Sequence, residues 1–528
     1  MTGNKNLADT PDRLRVLMLC AHEPTMDPRV KWSAMSAARS FDVTVLGFNN
    51  GAGSLSASQE LDGYRILRLP HRFVSLPTYP LRFCAAAPPV FWLLALALAL
   101  VLAPLVAGVA LIVVLLLVLI TPLIVLREAH RLLTRGYSAL LKHPVGPSLQ
   151  RFVAAVKRLR PRRNAGAGQQ QAAQQPAAQQ QDHSLSSLRA RVSYIANLMR
   201  MQFGPPAQWF TDHIDALPDK PHVVHCNDLD TLLVGVIAKR RHGCRVVYDA
   251  HEYYPQTDPY GRWLDIWLFS AIEWILLRRC DAVVTVNAPM AGQISKAYSY
   301  RPIYAVPNAE PRADTPVTPM HTAMTTLADG RLKCLVQGRF SPKRGMEEVI
   351  EGWAHVDPQK AALFLRGPAN IYSQQGEELA SRLGLLNRSV YFLPAVTEDE
   401  LVTAAAEADI GIIPYLSDFV IYEYACPNKL AQYMHGGLAI VSNDLAYVRS
   451  VIEWGKAGLV YKVKDSRSLA AVVHRLADDP DLLRQLRGSA AQFARDKFNW
   501  QAYSPIFDAL YRGQKPDLAP DGTVRNAA

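Results

Sequence analysis

The sequence predicts an α/β protein of two doubly wound halves with a long apolar segment inserted into the first half. Three observations carry this. Short apolar runs alternate with amphipathic stretches on both sides of the insertion, the pattern of parallel strands with crossover helices. No charged residue occurs from Phe83 to Leu126, a run of 44 positions. A Pro/Thr-rich stretch, residues 311–330, separates the two halves. The length of 528 residues allows about three domains at roughly 150 residues each.

In the first half the strand candidates are Arg15–Ala21, Asp42–Phe48, Tyr64–Pro70, His222–Asn227, Arg245–His251 and Asp281–Asn287. In the second half they are Cys334–Phe340, Ala362–Gly367, Val390–Ala395, Ile410–Tyr415, Ala439–Asp444 and Gly458–Lys462. The resulting division is 13–82 and 184–310 for the first α/β domain, 83–126 for the apolar insertion, 127–183 for a basic amphipathic segment and Ala/Gln-rich linker, 331–499 for the second domain, and 500–515 for a last helix.

One membrane crossing needs about 20 apolar residues, and Pro104 divides the apolar run into two pieces of that length. The run is therefore expected to form a membrane hairpin, either spanning or re-entrant. Arg72 and Arg82 precede it, and Arg127, Arg131, Arg135 and Lys142 follow it. Positive flanks on both sides place both ends in the cytoplasm. If the strands before and after the insertion share a sheet, both ends must also lie on one side of the bilayer. Leu149, Phe152, Val153 and Val156 recur at helical spacing among Arg151, Lys157 and Arg158, as in a basic helix lying on anionic lipid. Residues 166–181 read as a flexible linker.

The formal net charge is +11. Ten Lys/Arg against one Glu between Arg127 and Arg163 supply most of it, so a basic surface for nucleic acid is a poor reading. The seven Cys are scattered without CxxC spacing, which argues for reduced thiols and against a disulfide framework or a zinc site. The polar N-terminus reads as lacking a signal peptide.

Ligands of doubly wound sheets bind at the C-terminal strand ends. GRFSPKRG places Arg339, Lys343 and Arg344 in one loop before a helix, where a diphosphate would be held. ACPNKLAQYMHGG opens a second helix with Asn428, Lys429 and Gln432. AHEPTMDPRV brings Glu23, Asp27 and Arg29 to the first strand end, and YDAHE brings His251 and Glu252 to the fifth. Asp228 and Asp230 in NDLDT have a metal-like spacing, but helix capping is the expected job. His222 and His435 read as structural. No metal site is expected.

MDPRV, HCNDLDTLLVGVIAKRRHGCRVVYDAHE, VPNAE, GRFSPKRG and PNKLAQYMHGG followed by IVSND, in this order, resemble a GT-B-fold retaining glycosyltransferase of the family 4 type. The resemblance implies two Rossmann-like domains facing a cleft. The second binds a nucleotide sugar, the first receives the acceptor, and the last helix, Trp500–Tyr511, crosses back. It implies diphosphate contacts from Arg339 and Arg344, with Lys343 sharing that role, and a histidine near the reacting sugar at His251. Glu23, Asp27, Arg29, His251 and Glu252 would line the acceptor side. The family's pair of Glu reads Tyr424 and Gln432 here, with Glu423 one position off. Gln432 can still bond ribose hydroxyls.

The expected function is transfer of a sugar from a nucleoside-diphosphate donor to a lipid-linked, polyprenyl-diphosphate-type acceptor in surface polysaccharide assembly. The expected place is the cytoplasmic face of a bacterial-type inner membrane, with anionic lipids as partners and no cofactor. A diacylglycerol-type acceptor and a non-catalytic scaffold are the alternatives.

Overall fold

In the computed structural model, the residues described are 13–49, 55–70, 205–256, 263–313, 315, 317–341, 344–416, 420–519 and 521–523. The expected hairpin (83–126), the basic helix, the Ala/Gln linker and Lys343 lie outside these residues. Among the described residues, no helix is long and apolar enough to cross a membrane.

The first sheet has eight strands: β1 (Arg15–Leu19), β2 (Asp42–Asn49), β3 (Ser58–Leu61), β4 (Tyr64–Pro70), β5 (Val223–Asn227), β6 (Arg245–Ala250), β7 (Ala282–Thr285) and β8 (Tyr304–Ala305). Their order is β3-β4-β2-β1-β5-β6-β7-β8. All twelve strands expected from apolar runs are present. β3 and β8 were not expected. β3 has the polar sequence SQEL and pairs antiparallel with β4 through a turn at Asp62 and Gly63, both at positive φ. β8 is only two residues long.

β1 pairs in parallel with β2 on one side and β5 on the other. Strands from before and after the insertion thus share a sheet, and the flanking stretches form one compact unit. The chain leaves after Pro70 and returns to the same domain by Pro205.

The second sheet has six parallel strands: β9 (Leu332–Gln337), β10 (Ala361–Arg366), β11 (Val390–Leu393), β12 (Ile410–Ile413), β13 (Ala439–Asn443) and β14 (Gly458–Tyr461), in the order β11-β10-β9-β12-β13-β14. β10, β12 and β13 are buried along their whole length and β9 over its last four residues, as parallel strands covered on both faces must be. In each sheet the strand order reverses beside the first strand, between β1 and β5 and between β9 and β12. A crevice opens there outside the carboxyl ends.

The second domain begins before residue 331. Met320 N donates to the Thr403 carbonyl, and the Glu407 carboxylate accepts from Thr322 and Thr325. At the other end of the chain, the helices Trp500–Tyr503 and Pro505–Tyr511 pack into the core of the first domain. Trp500 lies 5.6 Å from Trp32, and Tyr511 lies 5.4 Å from Phe41. The Tyr511 hydroxyl is 2.6 Å from Nδ1 of the buried His225.

Candidate functional site

At the reversal point of the first sheet, β1 leads into the His22–Asp27 loop, β5 leads into Asp228 and β6 leads into His251. Asp249 and His251 lie two residues apart, so they share one face at the end of β6. His251 Nδ1 is 3.4 Å from Asp228 Oδ1 and 3.7 Å from Asp27 Oδ2, while Nε2 is 3.4 Å from Asp249 Oδ2. Burial alone would lower the His251 pKa, but Asp228, Asp249 and Asp27 outweigh it and raise it to about 9. The ring is therefore cationic at neutral pH. His22 behaves alike: burial opposes its charge, but Asp27, 3.6 Å away, lifts it to about 9. Burial would raise the Asp27 pKa, and His22 and His251 bring it down to about 2.

Three expectations are corrected here. Arg29 does not face a ligand, because it is 2% exposed and its Nε and Nη2 each bind Asp249 at 2.8 Å. It also donates to the Val306 carbonyl and to Asn308. Glu23, 3% exposed, is held by Arg68 Nε at 2.8 and 3.0 Å. Both are framework ion pairs that fix the loops carrying Asp27 and His251. Asp228 does not cap its helix with its side chain. Its φ is 69° and its carboxylate instead accepts from the His251 backbone N–H at 3.2 Å. Asp230 is buried behind it with one carboxyl oxygen unpartnered, and burial next to Asp228 raises its pKa to about 7.

The second sheet presents the opposite arrangement. After β9 the chain turns at Gly338 (φ 126°) into Arg339, which is exposed and has no hydrogen bond or ion pair among the described residues. Arg344 follows, then Gly345 at φ 77°, the residue before the Met346–Trp353 helix. A Cβ at Gly345 would lie 1.7 Å from the Pro414 carbonyl oxygen, so only glycine lets this loop close against β12. The Arg344 guanidinium sits 5.6 Å from the Tyr415 ring centroid and its Nε is buried without a partner.

Lys429, in the helix Asn428–His435, approaches the same ring, with Nζ 4.9 Å from the centroid. It is 8% exposed. Burial, then the nearby Arg344 charge, lowers its pKa to about 7. No carboxylate pairs with Lys429 among the described residues.

The two walls are coupled across the cleft. Burial, then Asp228, raises the Glu252 carboxyl pKa, and the Arg344 charge across the cleft opposes that rise. Lys31 pairs with Asp399 at 2.7 Å, and Asn287 donates to the Tyr424 carbonyl at 2.6 Å. Asn308 accepts from Arg29 while its amide donates to the Cys426 carbonyl. Gln432 is 6% exposed and bonds the Glu310 carboxyl, whose pKa burial raises to about 7. Asn428 is half-buried at the start of its helix.

His222 and His435 are tied to backbone atoms, Arg15 N and the Phe498 carbonyl. Among the described residues, no group of three or more His, Cys, Asp or Glu is arranged to hold a metal ion. Sequence reasoning missed His22, Asp249 and Asn308. The i, i+2 spacing of Asp249 and His251 on a strand end was the available signal for the second.

Comparisons with known proteins agree with this geometry. Residues 331–479 match the family model described as "Glycosyl transferases group 1", and residues 174–309 match "Glycosyltransferase Family 4". A D-inositol 3-phosphate glycosyltransferase of Streptomyces bingchenggensis is 27% identical over 199 residues, covering 34% of this chain and 41% of the relative. A glycogen synthase of Mycobacterium tuberculosis is 21% identical over 251 residues, covering 46% and 58%. The chain thus spans about half the length of the curated relatives it matches. Among solved structures, a sucrose-phosphate synthase from Thermosynechococcus elongatus superposes with a TM-score of 0.55 at 14% identity, covering 95% of this chain and 98% of that one. A glycosyltransferase from Rickettsia africae gives 0.51 at 9% identity, with 95% and 98% covered. The fold is GT-B, and the chain carries glycosyltransferase domains of the group 1 and family 4 types.

Proposed function

We propose that this protein transfers a sugar from a nucleoside-diphosphate sugar to a lipid-linked acceptor of the polyprenyl-diphosphate type, with retention at the anomeric carbon. One observation supports the donor half above all. Arg344 and Lys429 converge on one aromatic ring in a buried recess that holds no carboxylate of their own domain. Glu252 of the other domain acts on Arg344, whereas Lys429 has no carboxylate partner among the described residues; a buried unpaired cation is costly, and a diphosphate would supply the missing charge. As the diphosphate leaves it gains charge, so preorganised cations stabilise the transition state more than the ground state. Across the cleft, His251 is held cationic and oriented by three carboxylates, near where the transferred sugar would lie. Arg339, exposed at the mouth, would join the diphosphate contact. No protein nucleophile is assigned, and the retaining outcome rests on the family resemblance.

The acceptor half rests on the sequence of the insertion. An uncharged run of 44 residues favours a lipid-linked acceptor. The pairing of β1 with β5 supports an insertion that returns to the side it left. The Lys/Arg flanks favour the cytoplasmic face of a bacterial-type inner membrane, and surface polysaccharide assembly is the setting that fits.

The test is a screen of nucleoside-diphosphate sugars with native lipid extract as acceptor, reading both nucleotide release and sugar incorporation into lipid. Incorporation that Arg344→Ala abolishes supports the reading. Nucleotide release without lipid product would overturn the acceptor assignment. No release with any donor would favour a scaffold, for which Tyr424 and Gln432 in place of the family's Glu pair is the supporting observation.

A further inference from the structure

The helix Trp263–Leu277 of the first domain turns one face inward and one outward. Phe269, Ile272, Leu276 and Leu277 are buried. The Tyr248 and Tyr298 hydroxyls both bind the buried Glu273 carboxylate at 2.7 Å, so the helix is pinned in one rotation. On the opposite face, Trp267 is 53% exposed and Trp274 is 45% exposed. Trp267, Ala271, Trp274 and Arg278 follow at i, i+4, i+7 and i+11, a single stripe roughly 16 Å long at 1.5 Å per residue. The other large apolar side chains exposed among the described residues are Met26, Leu55, Ile371, Leu383 and Trp454.

The stripe ends in positive charge. The Arg278 guanidinium stacks 4.0 Å from the Trp274 ring centroid, and Arg278 and Arg279 are both exposed. Lys239 Nζ donates to the Arg279 carbonyl at 3.1 Å, which brings the basic end of the helix Leu229–His242 alongside. The acids at this corner are already engaged: Asp281 pairs with Lys239, and Asp215 pairs with Arg241 and His242. Two solvent-facing tryptophans beside a net-positive corner match a bilayer interface, where indoles sit at headgroup depth and Arg meets lipid phosphate.

We infer that the Trp267–Arg278 face is a second membrane contact, separate from the apolar insertion, which seats the first domain on an anionic lipid surface. Charge complementarity favours lipid over a second copy of the chain, since two such corners would repel each other.

Full-length protein reconstituted in vesicles of 70% phosphatidylethanolamine and 30% phosphatidylglycerol tests this. Brominated acyl chains quench tryptophans that enter the interface. The wild type should be quenched more than W267F/W274F, with the difference close to the share of two among nine tryptophans. That difference should shrink at least twofold in R278Q/R279Q, at high salt, and in vesicles of phosphatidylcholine alone. Nucleotide release in detergent should be the same in all variants, which separates failure here from failure of the donor reading. Equal quenching of wild type and W267F/W274F would overturn the inference, and so would a difference indifferent to lipid charge. Self-association in detergent that W267F/W274F abolishes would assign the face to a protein contact instead.

Discussion

The two walls of the cleft use charge in opposite ways. On the first-domain wall almost every ionised group has its counter-charge: Arg29 with Asp249, Glu23 with Arg68, and His251 among Asp27, Asp228 and Asp249. On the second-domain wall Arg344 and Lys429 both approach the Tyr415 ring, with no acid of their own domain beside them among the described residues. One wall is complete without a ligand, whereas the other is complete only with an anion. Substitutions on the first wall should therefore register in folding, and those on the second in donor chemistry.

The largest expected effect would break the first wall. Asp249→Asn leaves Arg29 buried without its counter-charge and should destabilise the protein by about 3–5 kcal/mol, read from urea unfolding. A loss within about 0.5 kcal/mol would mean the pair is not the framework described. Next, Arg344→Ala should lower turnover by about 2–4 kcal/mol in activation free energy and barely move the unfolding midpoint. Wild-type transfer rates would displace the diphosphate from this recess.

Lys429 sharpens the contrast through pH. Its folded pKa of about 7 lies below the ordinary lysine value, so the amine is neutral above pH 7 in the free protein. A bound diphosphate favours the charged form, and binding therefore takes up a proton above that pH. Donor affinity should fall as pH rises beyond 7, by up to about tenfold per unit. Lys429→Met should bind more weakly at pH 6.5 and lose this slope; a slope unchanged in the variant would sink the assignment. The smallest effect on folding belongs to Arg339→Ala. An exposed side chain without a partner should cost less than about 0.5 kcal/mol of stability, and any loss of transfer would then belong to the donor contact alone.

The fold was legible because parallel strands buried on both faces read as continuous apolar runs, and all twelve such runs are strands. β3 escaped because SQEL is polar, although the Asp62–Gly63 pair after it is a recognised hairpin signal. The basic loop before Gly345 and the Asn428 helix were legible from local spacing. The partners of Arg29 and Glu23 were not, since Asp249 is 220 residues from Arg29 and Arg68 is 45 from Glu23. A charged residue at a strand end looks the same in sequence whether it meets a ligand or a distant counter-ion. Asp228 was misread for a related reason: the cap position is local, but the competing acceptance from His251 is set by the neighbouring strand.

The last two helices have a bearing on how the protein is made. A chain leaving the ribosome presents its first domain long before its last residues exist. Trp500, Phe507 and Tyr511 nevertheless belong to the core built on Val16, Met18 and Trp32. The first domain to be synthesised is thus the last to be finished, and its hydrophobic surface stays open while the second domain folds beside it. A nonsense codon just before residue 500 would leave a second domain able to close around its own core beside a first domain with a missing wall. Quality control could recognise such a product by that exposed surface.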